Sequence, residues 1–287
     1  METQPKKRGA FYIIAPVLIY LLITYAVSTV FSVVLLTSNS AMLSQITNTD
    51  ILLEELMKLI SSQYYNITFV TSAVMITVFS IMFFRKERNA FDKKFANEIT
   101  FKGIFMMIGL AIGTFMLVNI LLTILASLPM FEQTMNSYDS QMELIFNNNL
   151  LFDILTVGIL APIQEELLFR GLVFNRLRII SQSEKTSAIY CALFFSMMHF
   201  GSIIQMAYAF GLGYLLCITY TKFENILAPI LVHVIFNMSN FILINSVVDN
   251  ALTTMIGVSV FYALGVSIFT ISINALKRKA KVDLKTQ

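Results

Sequence analysis

Eight apolar runs, at roughly 10–37, 65–84, 103–129, 150–170, 187–200, 202–220, 225–246 and 250–276, leave this chain little choice of fold. A helix needs about 20 mostly apolar residues to cross the hydrocarbon core of a bilayer, and all the runs but the short fifth approach or exceed that length. No water is present there to take up backbone hydrogen bonds, so each run has to satisfy its own, which dictates helices. The expectation is an all-α polytopic membrane protein with about eight transmembrane helices in one membrane-embedded domain over 1–287. Residues 1–149 supply the first three helices and their loops, 150–246 a core holding every candidate site residue, and 250–287 the last helix and a basic tail. Composition agrees: 57% of the residues are hydrophobic, 13% are charged and the mean hydropathy is +0.75. An ordinary soluble domain is roughly 45–50% apolar and about 25% charged.

Charge placement orients the bundle. Eight crossings from a cytoplasmic amino terminus put all 20 lysines and arginines except Lys58 on one side, which the positive-inside rule makes the cytoplasmic one. Both termini then face the cytoplasm. Lys6, Lys7 and Arg8 before an apolar run resemble a signal peptide, but the run from Ala10 to Thr37 is too long to be a cleaved one and reads as a retained first span. The net charge of +3 thus reports topology, and no nucleic-acid partner is expected. Cys191 and Cys217 lie inside apolar runs and read as small packing residues, with no disulfide framework.

Outside the spans, Ile51 to Ile60 is apolar on a helical period with Glu54, Glu55 and Lys58 on the other side, so it reads as a short helix in the outer interface. The polar stretch at about 131–149 reads as a connector. Gly109 with Gly113, and Ala207, Ala209, Gly211 and Gly213, offer small faces for close helix packing.

Against this background the polar residues stand out. Glu165 and Glu166 end an apolar run, where an ionised side chain costs on the order of 3 kcal/mol on insertion scales. Successive helical residues point about 100° apart, so the two carboxylates have different tasks. Glu166 and Arg170 share a face at i, i+4 and form an ion pair expected near the inner interface, which leaves Glu165 without a local partner. Pro162 frees a backbone carbonyl one turn earlier. Glu165 and His199 are equally distant from Gln182, so a hairpin turning at Ser181 to Ser183 sets them level. His233 and Asn237, again at i, i+4, reach a similar depth from the turn near Phe223.

Four such groups in one pocket suit hydrolysis. A carboxylate beside a neutral imidazole can take a proton from water, and His233 and Asn237 can donate to the oxyanion formed at an amide carbonyl. Glu165, His199 and His233 are equally a three-ligand set for a catalytic zinc with an open position, and the residue types do not separate the two mechanisms. Phe195 reads as a packing neighbour of His199.

The spacings Glu165-Glu166-x-x-x-Arg170, Phe195-x-x-x-His199 and His233-x-x-x-Asn237 resemble the motifs of the CPBP family, the CAAX prenyl protease 2 and bacteriocin-processing (Abi) membrane proteases, over about 150–240. The resemblance implies an eight-helix intramembrane endopeptidase of a multi-pass kind, in a bacterial cytoplasmic membrane, with a cavity open to the cytosol and to lipid. It implies that Glu165 and His199 activate water, that His233 and Asn237 bind the oxyanion and that Glu166 and Arg170 support them. Members are often described as metalloproteases, although a glutamate-type mechanism is also argued. The implied partner is a membrane-associated peptide or protein. A non-catalytic bacteriocin-immunity or scaffold protein of the same family is the alternative, and a proton-coupled transporter a weaker one that no inverted repeat supports.

Overall fold

The computed structural model describes residues 9–87, 99–146, 149–244 and 263–275. These residues are helical almost throughout, with no strand among them. Helix α1 is Ala10–Ser38, α2 is Thr49–Ser62, and α3 is Tyr64–Met82, which continues through a wide π turn, Phe83–Glu87. Then come α4 (Phe101–Ala126), α5 (Glu132–Phe146), a long α6 over 150–181, α7 (Glu184–Met197), α8 (Ile203–Phe223), α9 (Leu227–Ile244) and α10 (Ala263–Ala275). Each expected span coincides with a helix, the eighth only over α10 because 250–262 lies outside the described residues. Four of the helices are long and apolar enough by themselves to cross a bilayer.

Polar residues close the helix ends. Thr100 caps α4, Asn149 caps α6, Ser183 caps α7 and Ser202 caps α8, each accepting from a backbone N–H of the first turn. The α6–α7 turn falls where the sequence places it. Gln182 there adopts the left-handed conformation (φ 53°), as Glu224 does between α8 and α9 (φ 48°).

Helix α6 is the axis of the fold. It alternates α-helical stretches with two π-type stretches, Ile154–Leu160 and Leu167–Phe174, and the short α-helical piece between them, Ala161–Glu166, carries Pro162, Glu165 and Glu166. Widened turns re-aim the side chains that follow and are common at functional sites. Around α6 pack Phe79 and Phe83 of α3 and its π turn, Cys191 and Phe195 of α7, and Cys217 and Tyr220 of α8, all essentially buried. A second apolar cluster joins α4, α8 and α9 through Leu110, Phe115, Leu216, Val232 and Phe236.

The small residues pack as expected on α4. A Cβ on Gly113 would lie 2.7 Å from Phe269 Cα, and one on Gly109 would strike Ser272, so α4 and α10 touch backbone to backbone. On α8 only half of the expected face is used. Gly213 abuts Ala192 of α7 and Ala209 is buried, whereas Ala207 and Gly211 look outward. Residues two apart in a helix point about 200° away from each other, so the four could not share one face.

The stretch at about 131–149 is more than the connector that its polarity suggests. It forms α5, which lies against α8: Tyr138 and Tyr208 stack edge to face at 6.4 Å, and Gln141 sits where a side chain on Gly201 would have to go.

Candidate active site

One cavity of about 350 Å³ collects Glu165, His199, His233 and Asn237 on its wall. That volume is at the small end of the range for ligand pockets. Its remaining wall comes from every surrounding element, including Thr156, Val157, Phe169, Phe195 and Tyr208.

His233 stands between the two adjacent carboxylates. Its Nδ1 lies 2.8 Å from Glu166 Oε1, and its Nε2 lies 3.8 Å from Glu165 Oε2. The acids do point in different directions along α6: Glu166 is fully buried, while the side chain of Glu165 keeps 20% of its surface open to the cavity. They nonetheless converge on opposite nitrogens of one imidazole. A carboxylate only accepts, so Nδ1 of His233 carries a hydrogen and Nε2 is left to face Glu165 and the cavity.

The Glu166–Arg170 pair forms at i, i+4 as expected, but not near the inner interface. Arg170 Nη1 donates to Glu166 Oε1 at 2.6 Å with both side chains wholly buried, and Nη2 donates to the Gly213 carbonyl of α8 at 2.9 Å. Gly213 lies roughly 15 Å from the end of α8 at 1.5 Å per residue. Arg170 is thus an internal strut between α6 and α8 and does not contribute to the basic face. Glu166 Oε1 serves Arg170 and His233 together, so one oxygen joins three helices.

His199 sits in the turn just past the end of α7. Its Nδ1 lies 2.9 Å from the Phe195 carbonyl in the last turn of α7, which also accepts from the Met198 N–H at 3.2 Å. A carbonyl accepts, so Nδ1 bears the hydrogen, and the lone pair of the neutral ring is on Nε2. Phe195 is no mere neighbour: its ring is buried at the centre of the site. It lies 4.8 Å from the His199 ring, 5.7 Å from the His233 ring and beneath the Arg170 guanidinium at 4.7 Å. The guanidinium over the aromatic face is a favourable placement for a buried cation.

Asn237 answers Pro162. In a π-type stretch the Val157 carbonyl looks for the N–H of residue 162, and proline has none; Asn237 Nδ2 donates to it instead, at 2.9 Å. One amide hydrogen is spent on holding α9 to α6, and the other is free to serve the cavity.

No group of three or more His, Cys, Asp or Glu side chains among the described residues is arranged to hold a metal ion. Glu165, His199 and His233, the residues that would hold a zinc ion, share the cavity wall, with His233 Nε2 3.8 Å from Glu165 Oε2.

Asn240, Tyr138 and Tyr208 are among the polar wall residues that escape a reading of the sequence. Asn240 lies one turn beyond Asn237, and its i+7 spacing from His233 could have shown that it shares their face. Tyr138 and Tyr208 come from elements that the motifs do not touch, and only their packing brings them in.

Compared with known proteins, residues 147–239 match the family model for type II CAAX prenyl endopeptidases of the Rce1-like kind, the segment that carries all three motifs. No curated protein and no solved structure matches the chain. At the family level the match supports an intramembrane endopeptidase acting on a peptide or protein in a lipid environment.

Proposed function

With residues 147–239 carrying an Rce1-like CAAX endopeptidase domain, we propose that the protein hydrolyses a peptide bond of a membrane-associated peptide or protein, with water activated by Glu165 and His199. The supporting observation is the shared cavity: Glu165 and His199 both line it, and the hydrogen bond from His199 Nδ1 leaves its Nε2 lone pair available.

The reaction follows from these positions. A water held between the Glu165 carboxylate and His199 Nε2 gives a proton to Glu165 as its oxygen attacks the carbonyl carbon. The carbonyl π pair moves to oxygen, and that oxyanion takes hydrogen bonds from the second amide hydrogen of Asn237 and from His233 Nε2–H, on an imidazole that takes its second proton from solvent before the substrate binds and keeps it through the reaction beside the Glu166 carboxylate. Such donors are each worth about 3 kcal/mol. On collapse the C–N bond breaks and the proton on Glu165 passes to the leaving amine, so the carboxylate is restored. Glu166, held by Arg170, keeps His233 oriented throughout.

The test compares membrane peptides from cells carrying the native chain with those from cells carrying Glu165→Ala. The proposal expects a set of intact precursors to accumulate with the variant. Identical peptide profiles, with the cellular phenotype retained, would point to the immunity or scaffold role instead.

A further inference from the structure

We infer that the cavity admits its peptide from the face opposite the basic residues, so that the bond to be cut belongs to a membrane-anchored segment presented on that side. The cleavage itself rests on the function proposed above, whereas the direction of access rests on the fold and the charges alone. It is the reverse of the cytosolic opening that the family resemblance implies.

The basic ends of the helices are gathered at one face. Arg176 Nη1 near the end of α6 donates to the Tyr12 carbonyl at the start of α1 at 2.7 Å, and Gly103 at the start of α4 packs on Phe223 at the end of α8. Lys102, Arg178, Lys185 and Lys222 belong to the same ends. Between this face and the catalytic groups the bundle is solid. Leu172, Phe174, Cys191, Leu216, Tyr220 and Ile226 are all at most 1% exposed. Polar groups tie this plug together: Asn175 donates to the Gly171 carbonyl and the Tyr220 hydroxyl, and Arg170 to the Gly213 carbonyl. Among the described residues this packing leaves no room for an extended chain.

On the other side of the catalytic groups the wall is looser and more polar. Thr68 near the start of α3, Thr156 near the start of α6, Asn240 near the end of α9, and Tyr138 and Met142 of α5 line the cavity. All come from helix ends or loops on the side that carries only Lys58 among the lysines and arginines. The short α7 explains the opening. Its 14 residues rise about 21 Å, less than the ~30 Å of hydrocarbon, so the α7–α8 hairpin stops at His199–Ser202 and leaves a recess that α5 only partly fills.

Membrane-impermeant maleimide labelling of the full chain in bacterial cells tests the direction, with native Cys191 and Cys217 shielded by burial. Met142→Cys and Asn240→Cys should label in intact cells, and Lys185→Cys only in inverted vesicles. Cavity cysteines that label only from inverted vesicles, or from neither face, would overturn the inference, as would Lys185→Cys labelling in intact cells. Thermal unfolding of each variant in detergent confirms that it is folded. Labelling requires no turnover, so its failure leaves the endopeptidase proposal standing, and outward labelling without any cleavage sinks only that proposal.

Discussion

Glu166 on α6 accepts a hydrogen bond from His233 Nδ1 on α9 at 2.8 Å, with the carboxylate wholly buried. The bond fixes which nitrogen of His233 looks into the cavity, and in the proposed mechanism this is how Glu166 contributes without touching the substrate. The same oxygen holds Arg170 at 2.6 Å, which couples this orientation to the stability of the bundle.

The two roles separate by substitution. Glu166→Gln leaves a buried guanidinium without its anion, and removal of one partner of such a pair costs about 3–5 kcal/mol. Adding Arg170→Met removes the orphaned charge. The double variant should recover most of the thermal stability in detergent while peptide cleavage stays low, because a neutral glutamine accepts more weakly from His233 Nδ1 and does not balance the second proton on the ring. Recovery of both stability and cleavage would show that the pair is only structural.

Asn237 does two things through one amide. Asn237→Ala strands the Val157 carbonyl and should lower stability by about 1 kcal/mol, the scale of an interhelical hydrogen bond in a membrane. It should slow cleavage much more, by roughly 10²–10³-fold, the usual loss for one oxyanion donor. Unfolding curves and initial rates on the same preparation check both numbers.

The α4–α10 contact predicts a contrast between glycines. A methyl on Gly113 meets the Phe269 backbone at 2.7 Å, so Gly113→Ala should destabilise by about 1–3 kcal/mol as overpacking. Gly211 has open space around it, and Gly211→Ala should be neutral or stabilise by up to ~1 kcal/mol through helix propensity. Equal effects at the two positions would contradict the packing described.

Much of this was readable from residues alone, for a physical reason. Backbone satisfaction in lipid forces helices, charge asymmetry orients them, and i, i+4 spacing puts Glu166 with Arg170 and His233 with Asn237 on shared faces. What was not readable depended on how the helices meet. Glu165 and Glu166 lie in a regular α-helical piece, yet one imidazole presented from α9 faces both of them through its opposite nitrogens, which a step of about 100° by itself does not suggest. The depth of Arg170 followed from its bond to Gly213, a backbone group that no pattern marks. Tyr138 was hidden because α5 is polar, and the place of Phe195 at the centre of the site emerged only when four helices closed around it.

Metal dependence has its own test, because the proposed general-base mechanism needs only Glu165, His199, His233 and Asn237, all on the cavity wall. Dialysis of the purified protein against a strong chelator should leave the rate of peptide cleavage unchanged. A loss that added zinc restores would instead make Glu165, His199 and His233 ligands and require them to close in on the ion.

The most direct measurement is the turnover of one cleavable membrane peptide by purified native protein and by Glu165→Gln, with matched unfolding temperatures. General-base catalysis by Glu165 predicts a rate lower by about 10²–10⁴-fold in the variant. Turnover by Glu165→Gln at the native rate would contradict it.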